Sequence, residues 1–262
     1  MHITVDVSKP SVARMYDWLL GGKDNFHSDR EACDELLRLA PSTRELAVIN
    51  RLYLKRVVHW LATNGIRQFL DHGSGLPTQD NVHQVAQRVD EDCSVVYVDI
   101  DPVVLAHGRA ALDENDRTAV IQADFRDTEG IFAHPDTQRL IDLDEPVAAL
   151  FVSVLHCIPD SDDPWGLVRR VADRLPSGSY LVICQLASDD EKTRESVTEF
   201  MRETTGGTWG RVRSFAEVDS YFDGLELVDP PVDVSLWRPD SDLSPRQATQ
   251  EWVEYGSLAR KP

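Results

Sequence analysis

The chain has 262 residues, enough for one elaborated domain or two small ones, and its hydrophobic fraction of 42% is ordinary for a globular protein. Lys and Arg total 27 against 45 Asp and Glu, and the formal charge of −18 disfavours nucleic acid or an anionic membrane as the main partner. Because no signal-peptide pattern opens the chain and no apolar run could cross a bilayer, we expect a cytoplasmic protein.

The first 64 residues are predicted to be helical. Apolar residues recur at helical spacing in 11–20, where Gly21 and Gly22 end the helix, and further helices are predicted over 29–39 and from Ser42 or Thr43 to Thr63. Polar residues in and after the first helix would suit a lid over a ligand, although spacing alone favours ordinary surface charges. These residues are Arg14, Tyr16, Asp17, Lys23, Asp24 and Asn25.

A glycine turn follows the first predicted strand. Residues 66–70 are mostly apolar, Asp71 and the turn Gly73-Ser74-Gly75 come next, and a helical segment covers 79–89. Glycine permits positive φ and lets a ligand approach the backbone closely. As a dinucleotide fingerprint the pattern lacks its third glycine, because Thr78 occupies that position. The turn alone is therefore compatible with a ligand site or with a tight connection.

Two further predicted strands also end in acids. Asp99 follows the run 94–98, and Asp124 follows the run 118–123. An acid roughly 20 residues beyond the glycine turn is where ribose hydroxyls are bound in such sheets, and Asp99 has that position. Asp101 is better explained as the cap of the helix that Pro102 begins. Because parallel strands end at the same edge, these acids and the glycines predict a ligand site there.

The rest of the chain predicts further strands and helices. Strand 146–152 is apolar throughout, as expected for a central strand, and Ser153 and His156 follow it. A neutral imidazole could act as a general base, although a lone histidine is more often structural. We also predict helices over 163–175, within 188–205 and over 215–222, strands at 179–186 and twice within 224–237, and a tail that packs back onto the domain.

Two further groups of residues could have a functional role, namely three residues after the surface helix and the four cysteines. Trp209, Arg211 and Arg213 follow the surface helix within 188–205 and are candidates for substrate contact, although a plain loop with an anchoring Trp is as good an explanation. The four cysteines form no Cys-x-x-Cys pair, which predicts reduced, mostly buried thiols and no metal site.

Together these motifs resemble the class I S-adenosylmethionine-dependent methyltransferases, in which an Asp-x-Gly-x-Gly turn and acids after the second and third strands form the cofactor site. A narrower resemblance is to an actinobacterial, DUF574-like family of S-adenosyl methyltransferases. It covers nearly the whole chain and is carried by residues 13–26, 65–71, 152–156 and 259–262. The departures are His72, where an apolar or small residue is more usual, and Ser74, where Thr is common.

The resemblance implies a Rossmann-like α/β sandwich with a mainly parallel seven-stranded sheet and an antiparallel edge. Residues 1–64 would form a helical lid and 65–262 the cofactor-binding domain, within one compact unit. S-adenosylmethionine would be the methyl donor, S-adenosylhomocysteine the product, and an unidentified small molecule, in specialised metabolism, the acceptor. The implied cofactor-binding residues are Arg14, Tyr16, Asn25, Asp71, Gly73, Gly75, Asp99, Ile100, Asp124, Phe125 and Ser153.

The resemblance also suggests individual roles and leaves two alternatives. Arg14 would pair with the methionyl carboxylate, and His156 would be the base if the acceptor needs one. A nicotinamide-dependent oxidoreductase would use the same sheet, but Thr78 and Asp124 argue against it. A non-catalytic sensor of S-adenosylmethionine would keep the glycine turn and Asp99.

Overall fold

The computed structural model of the chain describes residues 6–78, 80–111, 115–207, 209–239, 247 and 249–262. Within these ranges the strands are β1 (Gln68–His72), β2 (Ser94–Asp99), β3 (Thr118–Gln122), β4 (Val147–Val152), β5 (Tyr180–Ala187), β6 (Glu226–Leu227), β7 (Val232–Asp233) and β8 (Val253–Arg260).

All of these strands belong to one sheet, in the order β3-β2-β1-β4-β5-β8-β6, with β7 also paired to β8. Strands β1 to β5 are parallel, whereas β8 runs antiparallel to β5, β6 and β7. The predicted α/β sandwich with a mainly parallel sheet and an antiparallel edge is confirmed, with eight described strands where seven were expected.

The antiparallel edge differs in detail from the prediction. The segment 224–237 contributes only the two-residue strands β6 and β7, because Pro230 and Pro231 lie between them and cannot donate backbone hydrogen bonds. The tail forms the eight-residue strand β8, which pairs along β5 from Tyr180↔Arg260 to Ala187↔Val253. The tail is therefore part of the sheet as well as packed against it.

Helices lie on both faces of this sheet. They are α1 (Val12–Leu19), α2 (His27–Leu39), α3 (Thr43–Thr63), α4 (Val82–Gln87), α5 (Pro102–Ala111), α6 (Thr128–Ala133), α7 (Pro135–Leu140), α8 (Pro164–Arg174), α9 (Glu191–Thr204) and α10 (Phe215–Asp219). The helices predicted before the sheet are confirmed, and α4 is shorter than the predicted 79–89, of which Gln79 lies outside the described residues. Helices α6 and α7 were not predicted.

The three N-terminal helices share a hydrophobic core with the sheet. Leu46, Tyr53 and Leu61 of α3 belong to the same buried cluster as Phe69 of β1 and Val95 of β2. A second cluster fills the opposite face, where α6, α7 and α8 cover the sheet. The segment 1–64, as far as it is described, is thus packed onto the sheet by apolar burial.

The described part of the chain has neither a membrane-spanning helix nor a metal cluster. None of its helices combines the length and apolar character of a membrane span. The four cysteines are free thiols, three of them buried and Cys157 partly exposed. Among the described residues, no group of three or more His, Cys, Asp or Glu could hold a metal ion.

Candidate active site

A cavity of about 520 Å³ lies at the carboxyl ends of the parallel strands, beneath the N-terminal helices. Its sheet side is lined by residues 73–75 after β1, 99–101 after β2, 124–126 after β3 and 152–154 after β4. The opposite wall is largely apolar and includes Met15, Leu19, Leu36, Leu46, Met201 and Trp252. The cavity thus joins a polar strip at the sheet edge to an apolar chamber under helices α1 to α3.

The glycine turn requires glycine for two different reasons. Gly73 and Gly75 have φ of +72° and +67°, a region that favours glycine. A Cβ on Gly73 would lie 2.4 Å from Val154 Cγ2, whereas a Cβ on Gly75 would meet nothing within 4 Å. Gly73 therefore allows close packing against Val154, and Gly75 leaves bare backbone with open space beside it.

Asp99 is held against this turn. Its Oδ2 accepts the Gly75 N–H at 2.8 Å, and its Oδ1 accepts the Asp101 N–H at 2.9 Å. Burial raises the pKa of Asp99 above its usual range, while these backbone hydrogen bonds oppose the rise. Each carboxylate oxygen has a second lone pair, so Asp99 can still accept hydrogen bonds from a ligand in the cavity.

Asp71 is buried behind the turn and does not line the cavity. Burial raises the pKa of its carboxyl to about 7, with the nearby Asp99 charge adding to the rise and Arg51 opposing it. Asp71 therefore lies next to the glycine turn in sequence without forming part of the cavity lining.

The strand ends at β2 and β3 form an apolar slot with an acid beside it. Ile100 is 56% exposed, unusual for a large aliphatic side chain, and lines the cavity together with Phe125. The Asp124 carboxylate accepts hydrogen bonds from Arg126 Nε at 2.9 and 3.0 Å, and this pairing lowers the pKa of Asp124. Asp124 therefore stays ionised at the cavity wall, with Arg126 bridging it to Asp162.

Of the polar residues predicted to bind ligand from the N-terminal segment, Tyr16 lines the cavity but Arg14 and Asn25 do not. Arg14 is buried in an ion pair with Asp29 at 2.9 Å and also donates to the Lys9 carbonyl. Asn25 Nδ2 donates to Asp17 Oδ2 at 2.8 Å. Arg14 and Asn25 therefore lie outside the cavity lining, and their polar groups have partners within the N-terminal segment itself.

Tyr16 belongs to a hydrogen-bonded pair with Asn50 of α3, a residue that was not predicted. Asn50 Nδ2 donates to Tyr16 Oη at 2.8 Å, and Tyr16 Oη donates to the Ala47 carbonyl at 3.0 Å. Both Tyr16 and Asn50 line the cavity. Together with Ser11 and Thr43, they add polar atoms to a helical wall that is largely apolar.

Ser153 and Glu254 form the second polar group of the cavity wall. Ser153 lines the cavity in the left-handed region, with φ of +57°, and its hydroxyl donates to Glu254 Oε1. A serine held there stores backbone strain, which is common at functional sites. Glu254 also lines the cavity. It was not predicted, because the tail that contains it was not recognised as a strand and an acid in a tail is ordinarily taken to face solvent.

His156 lines the cavity, but its environment argues against the predicted role as a base. Its Nδ1 accepts the Leu186 N–H at 3.3 Å, so the neutral ring carries its proton on Nε2 and presents a donor there. Burial, with a smaller contribution from Arg213, lowers the pKa of His156 to about 3. A group with so low a pKa is a poor proton acceptor at neutral pH.

Of the three candidates for acceptor contact, only Trp209 lines the cavity. Arg213 is fully buried and donates to the carbonyls of Leu155 and Ile158, both at 2.9 Å, which ties the segment after β4 in place. Arg211 is paired with Asp160 and Glu217. Arg211 and Arg213 therefore lie outside the cavity lining, and both are paired internally with acids, which favours the alternative of a loop anchored by Trp209.

Comparison with known proteins identifies the family. The model of a family described as S-adenosyl methyltransferase matches residues 1–262. The fold is similar to a proposed methyltransferase from Thermobifida fusca YX, at 44% identity, a TM-score of 0.89 and coverage of 98% of this chain and 96% of that chain.

Two other solved structures extend the comparison. A DUF574 family protein from Streptomyces avermitilis MA-4680 is 37% identical with a TM-score of 0.91, over 99% of this chain and 100% of that one. Human N-acetylserotonin methyltransferase, solved with S-adenosylmethionine, shares only the fold, with 14% identity, a TM-score of 0.50 and coverage of 97% and 63%. Comparison with curated proteins gave no match. The chain therefore belongs to the S-adenosyl methyltransferase family, whose methyl donor is S-adenosylmethionine.

Proposed function

We propose that the protein transfers the methyl group of S-adenosylmethionine to a small molecule held in the apolar chamber of the cavity. The observation that carries this proposal is that one cavity joins the polar strip at the sheet edge to the apolar wall of α1 to α3. An acceptor bound against that wall would face the end of the cofactor that extends beyond the polar strip, toward the apolar chamber. Cofactor and acceptor sites in contact are what direct group transfer requires.

The adenosyl half of the cofactor fits the polar strip. Asp99 keeps free lone pairs beside the open backbone of Gly75 and would accept hydrogen bonds from the ribose hydroxyls. Ile100 and Phe125 would cover the faces of the adenine ring, and Asp124 would accept from its exocyclic amine. The exposure of Ile100 supports this assignment, because a flat apolar ligand would cover that side chain.

The methionyl half would lie against the remaining polar atoms near the glycine turn. Tyr16, with its partner Asn50, and Ser153 are the side chains available there, and Gly73 would contribute the backbone of the turn. Asp71 would support the turn from behind. These roles replace the contacts expected of Arg14 and Asn25.

Bound S-adenosylmethionine supplies a methyl group already activated by a positively charged sulfur. The protein's contribution is then to align the acceptor and exclude water, which the apolar wall favours. The volume of about 520 Å³ favours a compact acceptor over a macromolecule. A compact, largely apolar acceptor would be in keeping with specialised metabolism.

The test is calorimetric titration of the purified protein with S-adenosylmethionine and S-adenosylhomocysteine, with NAD as the control. We expect micromolar binding of both adenosyl ligands and no binding of NAD. Binding of NAD instead would indicate the nicotinamide alternative. Tight binding of S-adenosylmethionine without methyl transfer to a broad panel of compounds would favour the non-catalytic sensor.

A further inference from the structure

Glu254 brings a carboxylate from the antiparallel edge of the sheet to the end of a parallel strand. It lies on β8 opposite Leu186 of β5, and the parallel neighbour of β5 is β4, which ends beside Ser153. The Glu254 side chain spans β5 to accept the Ser153 hydroxyl. The carboxylate of Glu254 on β8 therefore reaches the residue that follows β4.

The carboxylate is incompletely satisfied by the protein. Glu254 is 2% exposed, and its Oε2 has no hydrogen-bond partner among the described residues. A buried carboxylate oxygen without a hydrogen-bond partner has lost its hydration and has nothing in its place, which is unfavourable. A ligand that donates a hydrogen bond would remove that cost.

Glu254 lies on a strand that is distant from the part of the cavity proposed to hold the adenosyl group. Along the sheet edge, β8 lies four strands from β2, which corresponds to about 19 Å at the usual strand spacing. Its carboxylate reaches back toward β4, to Ser153, between the adenosyl strip and the apolar chamber. This is the region where the acceptor atom has to approach the methyl group under the proposed function.

The charge of the lining restricts the acceptor. Among the described lining residues, Arg126 is the only Arg or Lys, and it is paired with Asp124 at the adenosyl end. The apolar chamber therefore offers no cation for a carboxylate or phosphate on the acceptor. The polar group of an acceptor that suits this chamber, with its buried acid, is therefore an uncharged hydroxyl or an amine.

We propose that Glu254 receives the proton of the acceptor, and that the acceptor is a compact apolar molecule whose nucleophile is a hydroxyl or an amine. This proposal rests on the proposed function. In the transfer, the acceptor oxygen or nitrogen forms the bond to the methyl carbon as the bond from carbon to sulfur breaks. The sulfur keeps that electron pair and becomes a neutral thioether, and the proton of the O–H or N–H passes to Glu254.

The protonation of Glu254 is compatible with this role. Burial raises the pKa of its carboxyl to about 7, and the hydrogen bond from Ser153 opposes the rise. A proton acceptor whose pKa lies near the working pH is well suited to general base catalysis. His156, by contrast, has its pKa lowered to about 3.

The test uses 2-naphthol and its methyl ether, 2-methoxynaphthalene, as probes titrated into the protein saturated with S-adenosylhomocysteine. The two probes differ at one position, where a methyl group in the ether replaces the hydroxyl proton that Glu254 would accept. We expect the wild-type protein to bind 2-naphthol about tenfold more tightly than the ether, and Glu254→Gln to reduce that preference to about threefold or less. Glu251→Gln is the matched control, because Glu251 bonds to Ser42 and is not part of the cavity lining.

Three results would overturn the proposal. If Glu254→Gln and the wild type prefer 2-naphthol over the ether equally, Glu254 does not contact the acceptor hydroxyl. If the wild type shows no preference for 2-naphthol, the proposed hydroxyl or amine acceptor is wrong. A loss of S-adenosylhomocysteine affinity in Glu254→Gln of tenfold or more would assign Glu254 to the cofactor instead. Failure of the wild-type protein to bind S-adenosylhomocysteine at all would reject the proposed function itself, and the first titration detects it.

Discussion

Ser11 Oγ donates a hydrogen bond to Asp101 Oδ2 at 2.8 Å and so joins the start of helix α1 to the end of strand β2. The other oxygen of Asp101 accepts the Val103 N–H and caps α5, as the sequence predicts. Asp101 also donates its own N–H to Asp99. One acid therefore links the helical cover of the cavity to the carboxylate proposed to bind ribose.

Removing the Ser11 hydroxyl should loosen this cover. Because a hydrogen bond to a carboxylate contributes about 1.5 kcal/mol, we expect Ser11→Ala to raise the dissociation rate of S-adenosylhomocysteine by about tenfold. Stopped-flow tryptophan fluorescence measures that rate, since Trp209 and Trp252 line the cavity. Ser28→Ala is the control, because that hydroxyl bonds to the Val7 carbonyl on the exposed surface. An unchanged rate in Ser11→Ala would mean that the bond does not restrain the cover.

Replacing Asp99 should weaken cofactor binding without unfolding the protein. Loss of a carboxylate that accepts two ribose hydroxyls is expected to cost about 2 kcal/mol in Asp99→Ala, or about 30-fold in affinity, measured by calorimetry with S-adenosylmethionine. Asp92→Ala provides the comparison, because Asp92 pairs with Arg117 at an exposed position. Wild-type affinity in a folded Asp99→Ala protein would refute the ribose assignment.

Much of the fold follows from local sequence signals. The first three parallel strands are short apolar runs that end in acids, and α10 begins at a capping box formed by Ser214 and Glu217. Helices α6 and α7 do begin at local signals, with Asp127 as the N-cap of α6 and Pro135 in the first turn of α7. Each has only six residues, which is too short for a helical period to be recognised. Strand β8 contains Glu254 and Gly256, which disguise its alternation.

The site was predictable where it depends on strand ends and not where it depends on distant pairing. The glycine turn, Asp99 and Asp124 were located from their order along the chain. The bond between Ser153 and Glu254 spans 101 residues, and a single sequence gives no signal for such a pair. In the same way, the ion pair with Asp29 that withdraws Arg14 from the cavity is a tertiary contact, which helix spacing does not reveal.

The two glycines of the turn should differ in their tolerance of alanine. Gly75→Ala is expected to lose about 1 kcal/mol of unfolding free energy through its positive φ alone, because the added Cβ meets open space. Gly73→Ala should lose at least about twice as much, because its Cβ would also collide with Val154. Urea denaturation measures both. The double variant Gly73→Ala/Val154→Ala should lose less unfolding free energy than the two single variants lose together, because the shorter side chain removes the collision. A double variant whose loss equals or exceeds that sum would contradict this packing argument.

His72 should make the protein sensitive to mild acid. Its ring is buried and stacked on Phe151 at 4.4 Å between centroids, and burial lowers its pKa from 6.5 to about 4. Between these two values the unfolded chain binds a proton that the folded protein does not, so stability is lost as the pH falls below 6.5. The loss from this residue reaches about 2 kcal/mol at pH 5.

His72→Phe removes this titration while keeping an aromatic ring against Phe151. We therefore expect the difference in unfolding free energy, variant minus wild type, to grow by about 2 kcal/mol between pH 7.5 and pH 5, as measured by chemical denaturation. Asp71 and Glu254, whose pKa values burial raises to about 7, act in the opposite direction, because the folded protein retains their protons above the unfolded pKa. Both acids are present in wild type and variant, so their contributions cancel in the difference. A difference that stays constant with pH would show that His72 is protonated as readily in the folded protein as in the unfolded chain.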